Sequence, residues 1–258
     1  MRYYVVDAFS EKPFGGNPAG VCLLVHWIED SLMQKIAFEN NLSETAFLVK
    51  KDGDYDLRWF TPEAEINLCG HATLGSAYVL MNYVDQTMKK VNFHTLSGIL
   101  SVAKEEDYYT MDLPSSKPKA CEKPDLLEEA LGVKVLETYS ARDLLVVVKD
   151  EKTVAAMQPD FALVRKLKGV YAVIVTAKGT DCDFVSRFFI PNVGIPEDPV
   201  TGSSHTELIP FWSERLSKSE LTARQLSRRG GFLKCKNLGE RVLISGKAVA
   251  YLSGELLL

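Results

Sequence analysis

Cysteine is scarce in this chain and scattered: Cys22, Cys69, Cys121, Cys182 and Cys235, with no two of the five in C-x-x-C spacing. That excludes a zinc knuckle and a disulfide framework, and it predicts reduced thiols and a cytoplasmic setting. An excess of positive charge is also missing. Lys and Arg number 30 against 34 Asp and Glu, a net charge of −4, so no field gathers phosphates and nucleic-acid binding is not expected. The longest basic cluster, Arg224 to Arg229, is short and interrupted. No apolar run is long enough to cross a bilayer. The N-terminal Met1-Arg2-Tyr3-Tyr4-Val5-Val6-Asp7 places an acid where a signal peptide would still be apolar. Neither membrane nor nucleic acid is therefore an expected partner. What remains is the composition of a soluble globular protein, 46% hydrophobic and 25% charged in 258 residues, enough for one large domain or two modest ones.

Short strands dominate the pattern. RYYVVDAF, GVCLLV, TAFLVKK, YDLRWFT, GILSVAKE, YYTMDLP, LLVVVKD, YAVIVTA, FVSRFFI, RVLISGKAV and AYLSGEL are rich in β-branched or aromatic residues and bounded by turn formers. Helices are predicted at Ser31–Asn40, Ala72–Asn82, Pro124–Leu131, Pro159–Leu167, Ser204–Glu214 and Ser219–Leu226. The helix Ala72–Asn82 is apolar on nearly every side, which marks it as buried all round.

A pattern repeats at half the chain length. Phe60-Thr61-Pro62, Ile66 and Gly70-His71 lead into one helix. Phe189-Ile190-Pro191, Ile195 and Gly202-Ser203 lead into another, with Phe189 lying 129 residues after Phe60. The comparison pairs Ile66 with Ile195 and places a small insertion, Glu197 to Val200, before the second glycine. Two copies of one plan are implied, with a boundary near Leu113-Pro114-Ser115-Ser116-Lys117-Pro118. The expected division is residues 1–113 and 119–258, the terminal strand being free to pack back on the first lobe.

Both helix starts can bind an anion. Cys69-Gly70-His71 and Thr201-Gly202-Ser203 each put a glycine where the first N–H groups of a helix have no intrahelical partner and the dipole is positive. The alternative is that Thr201 and Ser203 only cap their helix. Asp198, held extended by Pro199, can point across its loop. Gly15-Gly16-Asn17-Pro18 forms a tight loop that can bring Asn17 to a ligand. Glu44, beside the apolar Ala46-Phe47-Leu48-Val49, is expected to be partly desolvated, which raises a carboxyl pKa and suits a general base or acid.

VDAFSEKPFGGNPAGV, NNLSETAFL, LRWFTPEAEINLCGHATLGSAYVL, DFVSRFFIPNVGIPEDPVTGSSH and RVLISGKAV, in that order along nearly the whole chain, resemble the PhzF family of phenazine-biosynthesis-like proteins, related to diaminopimelate epimerase. The resemblance implies an α+β fold of two pseudo-symmetric lobes, each an antiparallel curved sheet or barrel around a central helix, with the active site in the cleft between them. In the founding enzyme a glutamate moves a proton within trans-2,3-dihydro-3-hydroxyanthranilate without cofactor or metal. By motif that glutamate is Glu44. His71, Asp198 and Ser203 would hold the substrate and assist the transfer, and Gly70, Gly202, Thr201 and Asn17 would line its site. A small anionic metabolite is the implied ligand and a homodimer the implied assembly. One departure is visible: GSSHT stands where the family often has GSAHC.

Three other readings compete. A two-thiol epimerase needs a second cysteine, and the position matching Cys69 is Thr201. A Ser-His-Asp hydrolase from Ser203, His205 and Asp198 would need neighbours in sequence to act as a spatial triad, and no G-x-S-x-G elbow is present. A catalytically idle partner-binding protein would not be expected to keep Glu44, His71, Asp198 and Ser203 together.

Overall fold

The computed structural model describes residues 1–193 and 195–258. They form two compact units, Met1–Leu113 with Leu243–Leu258, and Pro114–Val242.

In the first unit, β1 (Arg2–Ala8) and β2 (Asn17–Leu24) form an antiparallel pair. The helix α1 (Asp30–Asn40) then returns the chain so that β3 (Glu44–Lys51) lies parallel to β2. A crossover is needed because parallel neighbours cannot be joined by a tight turn. The strand β4 (Asp54–Phe60) pairs antiparallel with β3, and the two-residue β5 (Glu65–Ile66) folds back on β4. Next come α2 (Gly70–Val79) and a π-helical turn, Leu80–Val84. Then β6 (Lys90–Thr95) lies parallel to β4, followed by the antiparallel β7 (Gly98–Glu105) and β8 (Tyr108–Pro114).

The helix α2 packs against β1, β2, β3 and β7. Its residues His71 to Ala77 are all buried, which is why it carries no polar face. Gly16 has φ +62° and sits so close to the Ala8 carbonyl that a Cβ would overlap it at 2.0 Å. Only glycine lets the loop close there and start β2 at Asn17.

The second unit repeats the order. The short β9 (Lys119–Ala120) and α3 (Leu127–Leu131) precede β10 (Glu137–Ser140) and β11 (Leu144–Val147), an antiparallel pair. The helices α4 (Glu151–Ala156) and α5 (Phe161–Val164) carry the chain to β12 (Val173–Lys178), parallel to β11. Then β13 (Phe184–Ile190) and β14 (Ile195–Asp198) pair antiparallel in succession. After α6 (Gly202–Leu216), β15 (Glu220–Gln225) lies parallel to β13, with β16 (Gly231–Asn237) antiparallel beside it. The strand β17 (Arg241–Gly246) leads out of this unit, and β18 (Ala248–Glu255) pairs with β1 of the first.

In each unit the strand pairing is mixed rather than purely antiparallel, and among the described residues it does not close into a barrel. Ser219–Leu226, predicted helical, is the strand β15. Its burial alternates, with Leu221, Ala223 and Gln225 inward, a period of two that the helical reading overlooked. α2 is extended by a π-turn to Val84, and α6 runs through Pro210. Proline has no N–H for the Thr206 carbonyl one turn back; the Ser116 N–H takes that carbonyl instead at 3.0 Å, so the helix continues.

The register relocates the insertion. Phe60 pairs with Glu65 and Trp59 with Ile66; Phe189 pairs with Glu197 and Phe188 with Asp198. Asp198, not Ile195, therefore occupies the place of Ile66, and the extra residues lie before Glu197. A pair the sequence reading did not notice marks the same repeat. Arg58 donates to both Glu65 oxygens at 2.7 Å and lies over Phe60; Arg187 donates to Glu197 at 2.7 and 2.8 Å and lies over Phe189. Each fork ties the small hairpin strand to its sheet just before a glycine-led helix.

Candidate active site

In the first unit, the parallel β2 and β3 and the start of α2 converge. Asn17 opens β2, Glu44 opens β3 opposite Ala19, and His71 lies in the first turn of α2 behind Gly70. His71 Nε2 stands 3.0 Å from Glu44 Oε2, and these side chains are 6% and 14% exposed. The two atoms are at ion-pair distance but not aligned as a good hydrogen bond. On the other ring edge, Nδ1 is 3.1 Å from the Asn17 side-chain amide and 3.5 Å from Cys69 Sγ. An amide can offer NH2 to a neutral ring or its oxygen to a protonated one, so Asn17 serves either state of His71.

Burial opposes the charged imidazolium, but the Cys69 sulfur accepting at one edge and the Glu44 carboxylate at the other outweigh it and hold the His71 pKa well above the ordinary value. Burial, helped by the Glu44 charge, pushes the Cys69 thiol up to about 11. A thiol that stays protonated at neutral pH is a poor base. Ligand atoms of Glu44, Cys69 and His71 lie within 4.8 Å of one another, as in a metal site. Yet Cys69 approaches Nδ1 and Glu44 approaches Nε2. The imidazole thus has a thiol at one edge and a carboxylate at the other.

In the second unit, Asp198 ends β14 and Thr201 precedes α6, which starts at Gly202 and Ser203. Thr201 makes no side-chain cap; its Oγ1 donates to Asp198 Oδ2 in a short hydrogen bond. Gln225 on β15 clamps the loop. It accepts from the Thr201 N–H at 2.9 Å and donates to the Asp198 carbonyl at 2.7 Å and to Thr201 Oγ1 at 3.1 Å. Ser203 does not cap the helix either: its Oγ accepts from Arg142 Nη2 at 3.1 Å. The capping alternative thus gives way to a loop whose hydroxyls are spoken for by side chains.

His205 is fully buried, its Nδ1 2.7 Å from the Thr201 carbonyl, and burial pulls its pKa down to about 4. It is directed to backbone and not to Ser203, so the hydrolase triad is not assembled.

Sequence reasoning missed Gln225, because it read that segment as a helix. It also missed Arg142, Asp143 and Glu207. Arg142 donates to the buried Asp143 carboxylate, and the Asp143 N–H donates to Glu207 Oε1 at 3.3 Å. The available signal was a glutamate one helical turn after Ser203, on the same face of α6.

A family model described as PhzC-PhzF, phenazine biosynthesis-like protein, matches residues 6–254. An uncharacterized isomerase of Pseudomonas aeruginosa is 54% identical over 258 residues, spanning 99% of this chain and 98% of that protein. The crystal structure of a PhzF family protein from Enterococcus faecalis superposes with a TM-score of 0.98 at 50% identity, covering 100% of this chain and 99% of the other. A probable proline racemase from Agrobacterium radiobacter, 10% identical, shares the fold with a TM-score of 0.68 over 100% of this chain and 93% of its own. With the glycine-led helix starts, the paired Glu44 and His71 and a family match along almost its whole length, the chain belongs to the PhzF family of phenazine biosynthesis-like proteins.

Proposed function

We propose that this protein is an isomerase that moves a proton within a small cyclic amino or hydroxy carboxylic acid, with Glu44 as the single acid/base and without cofactor or metal. The observation that carries this reading is the buried Glu44–His71 contact at 3.0 Å. A carboxylate held there by an imidazole can take a proton from a substrate carbon as the C–H electron pair moves into the conjugated system. The resulting carboxylic acid, whose proton exchanges with solvent before delivery, can protonate a second carbon, so no co-reactant is consumed. His71 keeps Glu44 placed and offsets its charge before the transfer. Asp198, Thr201, Ser203 and the Gly202 backbone are assigned to substrate polar groups, and Asn17 and Gly70 to the first unit's share of binding. The name of the P. aeruginosa relative supports the reaction class, and the family resemblance supports the substrate class.

The test is proton exchange in deuterated water over a panel of cyclic amino and hydroxy carboxylic acids, trans-2,3-dihydro-3-hydroxyanthranilate included. Deuterium should enter at carbon with the wild type and not with Glu44→Gln. Exchange that survives Glu44→Gln would remove Glu44 from its role.

A further inference from the structure

The two units place different chemistry at matching positions. In the first, Ala19 pairs with Glu44 across the parallel strands; in the second, Leu144 pairs with Val173, which lies 129 residues after Glu44. Two residues before Ala19 stands Asn17, and two before Leu144 stands Arg142. His71 follows the first helix glycine as Ser203 follows the second. The contact is kept while the groups change: the Asn17 amide lies 3.1 Å from His71 Nδ1, and the Arg142 guanidinium 3.1 Å from Ser203 Oγ. Where the first unit has a base and an imidazole, the second has a valine, a hydroxyl and a cation.

We propose that Arg142 is the residue that makes this enzyme select substrates bearing an acid group, acting with the Ser203 hydroxyl as a carboxylate subsite. The inference rests on the isomerase reading above. Arg142 donates to Ser203 Oγ, which fills an oxygen lone pair and leaves the hydroxyl hydrogen free to donate outward. Asp143, whose side chain is fully buried, grips Nε and Nη2 and fixes the guanidinium plane, while Nη1 has no partner among the described residues and the Arg142 side chain is 45% exposed. A fixed guanidinium with an open edge beside a hydroxyl is suited to carboxylate recognition.

The surrounding charges permit it. Glu207 lies beneath this corner, with Asp143 and Arg142 its charged neighbours, and its Oε2 is buried without a partner. Burial, with the Asp143 charge, raises its pKa to about 7 against the opposing pull of Arg142. A protonated Glu207 leaves Arg142 and Asp143 as a neutral pair, so an incoming anion meets no net negative charge.

The experiment is isothermal titration at pH 6.5 with 2-amino-3-hydroxybenzoic acid and its carboxamide, a flat ring carrying the three polar groups with and without the charge. The wild type should bind the acid about tenfold or more tighter than the amide, as expected for a charge-assisted contact. Arg142→Ala should abolish that preference while leaving the amide affinity within about threefold, and Arg142→Lys should restore part of it. An unchanged preference in Arg142→Ala, or an equal loss for both ligands, would overturn the proposal, as would equal wild-type affinity for acid and amide. Wild-type protein binding neither compound would instead overturn the substrate class itself, and this subsite with it. Arg142→Gln, with its melting curve checked, covers the case in which the alanine variant fails to fold.

Discussion

His71 and His205 each sit within the first turns of a glycine-led buried helix, and their pKa values move in opposite directions. His71 has Glu44 and Cys69 at its two ring edges and is held above the ordinary value; His205 has the Thr201 carbonyl and the Ser204 hydroxyl beside Nδ1 and is pulled down to about 4. Burial penalises both imidazolium ions, so the neighbouring charge decides. One unit built a paired carboxylate and imidazole on this scaffold. The other buried its histidine as a neutral strut and spent its helix start on hydroxyls, Asp198 and Arg142. Similar backbones thus carry a carboxylate and an imidazole in one unit and hydroxyls, a carboxylate and a guanidinium in the other.

The comparison breaks hardest at Glu44. Glu44→Gln should lower deuterium exchange by about 10²–10⁴-fold, the range of a general acid/base, with a near-normal melting temperature. Asp198→Asn should act mainly on substrate affinity; a loss confined to kcat would erase the proposed division of labour.

Gln225→Leu comes next. It leaves the Thr201 N–H and the Asp198 carbonyl without the partner they now have, at a cost of about 1–3 kcal/mol for each group that stays unsatisfied. Chemical denaturation measures this, and a neutral result would show the loop does not depend on the clamp.

The histidines give the pH signature. His71, raised in the folded state, contributes stability that is present below its unfolded pKa near 6.5 and is lost as pH rises through its higher folded value. His205, lowered, contributes stability that is present above 6.5 and is lost as pH falls toward about 4. Histidine NMR titration should place the His71 pKa above the ordinary value and show it falling in Glu44→Gln. Unfolding curves from pH 7 to pH 4 should flatten in His205→Gln relative to the wild type.

The smallest effect is expected at Cys69→Ala, less than about tenfold in rate, equivalent to about 1.4 kcal/mol. Abolished exchange would restore a thiol mechanism, although the matching residue of the second unit is Thr201.

Much of this could be read from the chain. Gly70 and Gly202 punctuate two apolar helices, and the F-x-P pattern recurs at half-length, because local turn chemistry and periodicity are written in consecutive residues. Glu44, His71, Asp198 and Ser203 stand out as candidates by motif. Gln225 was hidden because TARQLS suits a helix as well as a strand, and only its pairing with β13 and β16 settles which. The insertion was misplaced because Ile195 imitates Ile66 in type, while strand register equates Ile66 with Asp198.

The sequence by itself determined the duplicated plan, the buried helices and the identity of the acid and hydroxyl groups, since composition and spacing act over a few residues. Tertiary structure alone decided which distant partner each group received: Asn17 and Glu44 for His71, Arg142 for Ser203. Asn17, Glu44 and Arg142 come from segments distant in sequence, at or just before the starts of parallel-paired strands, and the charge and burial met there, not residue type, set what a histidine or a serine can do.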